Sequence, residues 1–186
     1  MHKNLKKYFF INDFDTKILD YQEKGTSIIY RNYQENKISY NSIIKLRDFC
    51  KKKKLRLFIS NNFKLAINLK LDGAYIPSFD TSLSHLNFSL NKNFKIIGSA
   101  HNIYQIRVKE RQKVDEIFIS SLFKRNSNYL GFYRTKVLSK TTKKKIIVLG
   151  GISKEKIRLI NMLNCEGFAG ITFFKKKGPY KNRGLK

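Results

Sequence analysis

The feature that most constrains the fold of this chain is a repeated alternation of short β-rich runs with longer amphipathic segments. The amphipathic segments carry apolar residues three and four positions apart, which is typical of helices that bury one face. Runs such as residues 146–150 are apolar without alternation, which indicates strands buried on both faces. The pattern predicts βα units around a parallel sheet. Eight such runs occur, at residues 8–12, 27–33, 55–60, 73–77, 94–100, 116–120, 145–150 and 167–173.

Eight strands in this order predict an α/β fold, a closed (β/α)8 TIM barrel rather than an open sheet. The chain has 186 residues, few for this architecture, and we expect one domain over residues 1–186. Only a basic tail, residues 175–186, follows the eighth run, and its Gly178, Pro179 and Gly184 predict an incomplete final helix. The barrel flank that this leaves uncovered is a candidate homodimer contact.

The net charge of +26 raises the question of a nucleic-acid partner, because clustered Lys and Arg gain affinity by releasing counterions from phosphates. Lysine outnumbers arginine 30 to 9, and Asn, Ile, Phe and Tyr are abundant, which is the pattern that A/T-rich codons produce. The basic runs also lie at the ends of predicted elements, where solvated lysines are common. We therefore interpret the charge as compositional, and a basic nucleic-acid-binding module stays only as a third hypothesis.

Location and redox state follow from what the sequence lacks. No window has the roughly 18 consecutive apolar residues that a membrane span needs, and no signal-like cleavage site follows the N-terminus. We expect a cytoplasmic protein without a membrane partner. Cys50 and Cys165 are far apart and have no metal-ligand spacing, so we expect reduced, partly buried thiols.

Catalytic side chains of parallel barrels lie at the C-terminal ends of the strands. The sharpest signal there is IIVLGGISKEK, in which a buried strand runs into Gly150 and Gly151 and then a helix that Ser153 is predicted to cap. Backbone N–H groups at such a turn, with Thr172 on the next strand, predict a phosphate site. The other polar residues at strand ends are Arg31, Asn61, Asp80, Ser99, His101, Arg125 and Asn128; His85 is expected at the surface.

Five segments together resemble the thiamine phosphate synthase/TenI family. Residues 58–80, FISNNFKLAINLKLDGAYIPSFD, are similar to the family segment in which an Asn-Asp pair ends the third strand and a DG-containing fourth strand leads to an acidic residue. IIGSAHN resembles the fifth-strand G-x-S-x-H pattern, one residue shorter, and DEIFISSLFKRNSNYLG resembles the sixth strand and its loop. IIVLGGI and EGFAGIT resemble the final phosphate grip, so the resemblance covers nearly the whole chain.

The resemblance implies a transferase of thiamine biosynthesis that joins hydroxymethylpyrimidine diphosphate to thiazole phosphate and releases pyrophosphate. It implies that Arg31 and Asp80 serve the diphosphate and its Mg²⁺, with Ser99 near the substrate. Gly151 and Thr172 would hold the thiazole phosphate through backbone amides, and Gly150 and Arg125 belong to the same phosphate-binding rim. Asn61 stands at the second metal position.

The chain departs from the family pattern at four of these positions. Ile29 and Tyr33 replace a Gln and a Lys beside the arginine, Asn61 replaces a metal-binding Asp, and Asn128 replaces a loop lysine. Because Asn offers a carbonyl ligand but no charge, we expect weaker Mg²⁺ binding and a lower synthase activity.

His101 keeps a second hypothesis open. The resemblance also implies that TenI-like members use a histidine at this place to isomerise a thiazole phosphate, and imidazole suits proton transfer near neutral pH. An isomerase, or a noncatalytic binder of thiamine-type phosphates, is therefore the alternative to the synthase.

Overall fold

The computed structural model describes residues 4–31 and 40–175. Each strand pairs in parallel with the next, and β8 pairs with β1, which closes the sheet into a barrel. The predicted eight-stranded TIM barrel is confirmed. Its strands are β1 Lys6–Ile11, β2 Ser27–Tyr30, β3 Arg56–Ser60, β4 Gly73–Ile76, β5 Lys95–Ala100, β6 Glu116–Ser120, β7 Lys145–Leu149 and β8 Gly167–Gly170.

The connections between the strands contain seven α-helices within the described residues. A short 3₁₀ helix, Ser84–Asn87, replaces an α-helix between β4 and β5. No helix in these two ranges is long and apolar enough to cross a membrane. The α-helices are α1 Thr16–Leu19, α2 Tyr40–Lys52, α3 Phe63–Asn68, α4 Ile103–Arg111, α5 Gly131–Ser139, α6 Ile157–Asn161 and α7 Thr172–Lys175.

The chain after β7 differs from the prediction in where the helix begins. The predicted helix over residues 154–164 is reduced to α6, and Ser153 is not its N-cap, so that prediction was wrong. The Ser153 carbonyl instead accepts from the Lys156 N–H at 3.2 Å in a preceding turn. The reason is local packing, because Ile152 is buried and the Lys156 ammonium lies 4.8 Å from the centre of the Phe123 ring.

The last strand also ends earlier than predicted. The run over residues 167–173 is a strand only to Gly170, and Thr172 begins α7. The Ile171 carbonyl accepts from the N–H groups of Phe174 and Lys175, which bends the chain into this short helix. The helix turns Phe174 into a buried stack on Phe9, with ring centres 5.2 Å apart. The incomplete final helix is therefore four residues long within the described range; the remaining tail lies outside it, and the homodimer stays a prediction.

The barrel interior is filled by one inward side chain or more from every strand. Five of the nine side chains in this interior cluster are aromatic, and their rings meet edge to face, as Phe10 and Tyr75 do with centres 5.3 Å apart. A larger outer cluster packs the strands against the helices. The interior cluster contains Tyr8, Phe10, Ile29, Phe58, Tyr75, Ile97, Phe118, Ile147 and Ala169.

Both cysteines are buried more completely than the sequence suggests. Burial, assisted by the Asp72 carboxylate, raises the pKa of Cys50 to about 12. At pH 8 only roughly one Cys50 in ten thousand would be the reactive thiolate. We therefore expect Ellman's reagent to modify no more than a trace of thiol in the folded protein, and two thiols per chain in guanidinium chloride. Rapid modification of Cys50 in the folded protein, located by peptide mapping, would contradict this burial.

Candidate active site at the mouth of the barrel

A cavity of about 270 Å³ opens at the C-terminal ends of the strands. The loops after β6, β7 and β8 form most of its wall, and residues after β2 and β5 complete it. A larger groove of about 370 Å³ lies at the opposite end, but parallel barrels bind and react at the C-terminal end. Six of the residues predicted from sequence line the C-terminal cavity together: Arg31, His101, Asn128, Gly150, Gly151 and Thr172.

The two glycines after β7 let the backbone run close to the loop that follows β6. Their φ angles are +106° and +70°, in the region that favours glycine. The Gly150 carbonyl accepts from the Phe123 N–H at 2.8 Å. A Cβ on Gly151 would lie 2.7 Å from the Lys124 nitrogen and 2.9 Å from the Phe123 carbonyl carbon. Only glycine therefore fits this turn without moving backbone.

Three backbone N–H groups at the cavity wall have no acceptor within residues 4–31 and 40–175. They belong to Gly151 and Ile152 after β7 and to Thr172 at the first position of α7. Backbone N–H groups that no carbonyl occupies are the donors that anionic oxygens use. These three N–H groups are therefore candidate main-chain donors to an anion at the ends of the last two strands.

Positive side chains reach the same cavity. The Arg31 N–H donates to the Ile11 carbonyl at 2.8 Å, and its guanidinium lies 5.3 Å from the centre of the Phe10 ring. Lys124 also lines the cavity, although the sequence had directed attention to its neighbour Arg125, which does not. The sequence carries no signal that separates these adjacent cations, because the loop after β6 has no regular periodicity.

The imidazole of His101 is held in one orientation at the wall. Its backbone N–H donates to the Gln105 side-chain oxygen at 2.7 Å, and its ring Nδ1 lies 2.8 Å from the Ser120 carbonyl oxygen. Because a carbonyl can only accept, Nδ1 carries the hydrogen, and Nε2 of the neutral ring is an acceptor. The ring can therefore take a proton from a group in the cavity at Nε2.

The remaining predicted residues lie around this cavity rather than in its wall. Ser99 is buried below, where its Oγ accepts from the Tyr75 hydroxyl at 2.9 Å. Asp80 is half-buried after β4, and its carboxylate accepts from the Ser82 N–H at 2.8 Å. Asn61 is exposed after β3, with a φ of +55°.

The residues present suit a metal ion that arrives with a substrate better than a resident one. Within the described ranges no three His, Cys, Asp or Glu side chains gather into a metal-binding group. Mg²⁺ often uses one or two carboxylates together with substrate phosphates and water. Asp80 offers a carboxylate and Asn61 an amide carbonyl, which are oxygen donors of the kind such an ion uses.

The departures from the family pattern have different structural outcomes. Ile29 is fully buried in the barrel interior, so its position offers no polar contact to a ligand. Asn128 lines the cavity, and its carbonyl accepts from the Ser121 N–H at 2.8 Å. Tyr33 lies outside the described residues.

Sequence comparisons with known proteins agree on one family. A family model described as thiamine monophosphate synthase matches residues 14–174. A protein of Aquifex aeolicus named "Putative thiamine-phosphate synthase 2" is 30% identical over 141 residues, which are 73% of this chain and 74% of that protein. The thiamine-phosphate synthase of Methanococcus vannielii is 25% identical over 119 residues, which are 62% of this chain and 57% of that protein.

A solved structure supports the fold. The thiamine phosphate pyrophosphorylase of Pyrococcus furiosus superposes with a TM-score of 0.76, at 16% identity, over 94% of this chain and 92% of that one. At that identity the likeness concerns the arrangement of strands and helices alone.

Proposed function

Because the chain belongs to the thiamine monophosphate synthase family, we propose that it joins hydroxymethylpyrimidine diphosphate to thiazole phosphate. The thiazole nitrogen attacks the methylene carbon of the pyrimidine and forms a C–N bond. The C–O bond to the diphosphate breaks with its electron pair, and pyrophosphate leaves. The observation that carries the proposal is one cavity lined by Arg31 and by the open N–H groups after β7 and β8.

Different groups of the cavity would bind the two phosphorylated substrates. The N–H groups of Gly151, Ile152 and Thr172 would hold the thiazole phosphate, since they are fixed donors that need no reorganisation. Arg31 follows β2, which only β1 separates from β8, and from there its guanidinium would face the diphosphate. A cation there stabilises the negative charge that develops on the departing pyrophosphate. Soluble phosphorylated substrates agree with the cytoplasmic location expected from the sequence.

Asp80 and Asn61 would hold Mg²⁺ together with diphosphate oxygens. The ion, when bound, would neutralise part of the diphosphate charge and so make it a better leaving group. Ser99 accepts a hydrogen bond from the Tyr75 hydroxyl and would support the base of the cavity, where the pyrimidine would bind. The single carboxylate predicts that activity needs a higher Mg²⁺ concentration than a site with two carboxylates would need.

The test is to supply both substrates with Mg²⁺ and to measure pyrophosphate release and thiamine phosphate by chromatography. Equal amounts of both products are expected, and none when either substrate is omitted. If no product forms while thiazole phosphate still raises the melting temperature, the synthase proposal fails and a phosphate binder remains. Steeply salt-dependent binding of mixed nucleic acid, with no response to either phosphate, would instead favour a nucleic-acid-binding protein.

The orientation of His101 favours isomerisation of a thiazole phosphate as the second candidate function. Replacing His101 by Ala removes Nε2, and we expect it to lower an isomerisation rate roughly 10²–10⁴-fold, the usual contribution of a general base. Synthase activity of the same variant is the internal control, because the proposed transfer uses no proton acceptor at this atom. An unchanged isomerisation rate, followed by NMR of the thiazole, would exclude the role.

A further inference from the structure

A buried lysine on α4 holds the loop that follows β4. The Lys109 side chain is fully buried, and its ammonium donates to the carbonyl oxygens of Pro77 and Asp80 at 2.7 and 2.8 Å. Its third hydrogen bond goes to the side-chain oxygen of Gln112 at 2.8 Å. All three donors of the ammonium are therefore used, two of them on one loop.

Gln112, the C-cap residue directly after α4, completes the arrangement. Its side-chain amide donates to the carbonyls of Asp80 and Ser82 at 3.0 and 2.8 Å. Its own backbone carbonyl lies 2.9 Å from Nε2 of His85, whose ring stacks on Phe63. We call Lys109 and Gln112 the α4 clamp; between them they hold three carbonyls over residues 77–82.

The surroundings are shaped for this lysine. A Cβ on Gly98 of β5 would lie 2.9 Å from the Lys109 Cδ, so the glycine leaves room for the aliphatic stem. Burial lowers the pKa of Lys109 to about 8, and the Asp80 carboxylate opposes that change. Burying an ammonium is unfavourable unless it is fully hydrogen-bonded, and an apolar side chain of similar size would stabilise the fold as well. Holding the loop is what the lysine does that an apolar residue cannot.

We infer that the α4 clamp is a positioning device for Asp80, which holds the carboxylate of that residue at the barrel mouth ready for a Mg²⁺-diphosphate group. The inference rests on the proposed function. The side chains of both clamp residues donate hydrogen bonds to the Asp80 carbonyl. The Ser82 N–H, in the same loop, donates to the Asp80 carboxylate. Loosening the clamp would free the carboxylate, while the N–H groups after β7 and β8 would keep their places.

The test compares Lys109→Met with Arg111→Met, which removes an exposed positive charge from the same helix. Lys109→Met is expected to weaken binding of Mg²⁺-pyrophosphate, measured by calorimetry, roughly 10–100-fold, as changes behind a metal ligand do. Binding of thiazole phosphate should change less than about twofold, since its donors lie on other loops. Arg111→Met should alter neither affinity. Gln112→Met, which keeps the lysine, should show the same selectivity if Lys109→Met folds poorly.

Hydrogen exchange of residues 77–83 gives a readout without activity. It should become faster in the clamp variants and stay unchanged elsewhere in the barrel. Equal weakening of both ligands, or a faster loop with unchanged Mg²⁺-pyrophosphate affinity, would overturn the inference. Wild-type protein that does not bind Mg²⁺-pyrophosphate would overturn it too. Wild-type protein that binds both ligands but forms no thiamine phosphate would refute only the synthase proposal.

Discussion

Arg31→Gln is expected to lower the rate of pyrophosphate release roughly 10²–10³-fold, the loss typical when one group that stabilises transition-state charge is removed. The guanidinium lines the cavity beside the Phe10 ring, and glutamine can donate a hydrogen bond but carries no charge. The rate of Arg31→Lys should lie between those of the wild type and Arg31→Gln, because an ammonium keeps the charge without the planar pair of donors. The measurement is steady-state kinetics with the pyrimidine diphosphate varied.

The matched control is Arg125→Gln, which removes one arginine close to the cavity but not in its wall. It should change the rate less than about threefold, because Arg125 is exposed and solvent screens its charge. Comparable losses in the two variants would mean that total positive charge matters rather than the position of Arg31. No loss in Arg31→Gln would remove this residue from the mechanism.

Gly151→Ala is expected to weaken thiazole phosphate binding roughly 10–100-fold, since the turn would carry a strain of about 1–3 kcal/mol and one N–H donor would move. The methyl group would meet the backbone of Phe123 and Lys124, which cannot yield as a flexible side chain can. Gly25→Ala is the control, because Gly25 also has a positive φ, +81°, but nothing lies within 4 Å of an added Cβ. It should reduce the melting temperature without changing phosphate affinity.

A result in which both glycine variants weaken phosphate binding equally would argue against a specific role for the Gly151 turn. Calorimetry with thiazole phosphate measures the affinities, and thermal unfolding separates them from losses of stability. Binding by Gly151→Ala at the wild-type affinity would place the phosphate elsewhere in the cavity.

The barrel could be predicted from sequence because its strands are buried on both faces and so read as unbroken apolar runs. Strand starts were predicted to within two residues, since each strand begins at a polar residue or a glycine next to its apolar run. The end of β8 was predicted less accurately. Residues 171–173 look like the continuation of a strand in sequence, but the chain begins α7 at Thr172. The pattern of side chains could not distinguish these outcomes, because a helix instead of a strand buries Phe174 and partly buries Phe173.

The glycine turn at the edge of the site was predictable, because its conformation depends on local backbone requirements alone. Adjacent glycines at the end of an apolar strand indicated the turn at Gly150 and Gly151 without any tertiary contact. The α4 clamp and His85 were not predictable, because their burial depends on a loop more than twenty residues away in sequence. A lysine and a histidine in polar surroundings look solvated in sequence, and His85 is in fact buried.

An aliphatic side chain lies between the aromatic interior and the cavity at the mouth of the barrel. Leu149, at the end of β7, packs against the interior cluster and also lines the cavity. In the proposed site, we therefore expect this apolar residue to limit how deeply a heterocycle can bind. A smaller side chain in place of Leu149 would make room for a larger ring and would leave the charged rim unchanged.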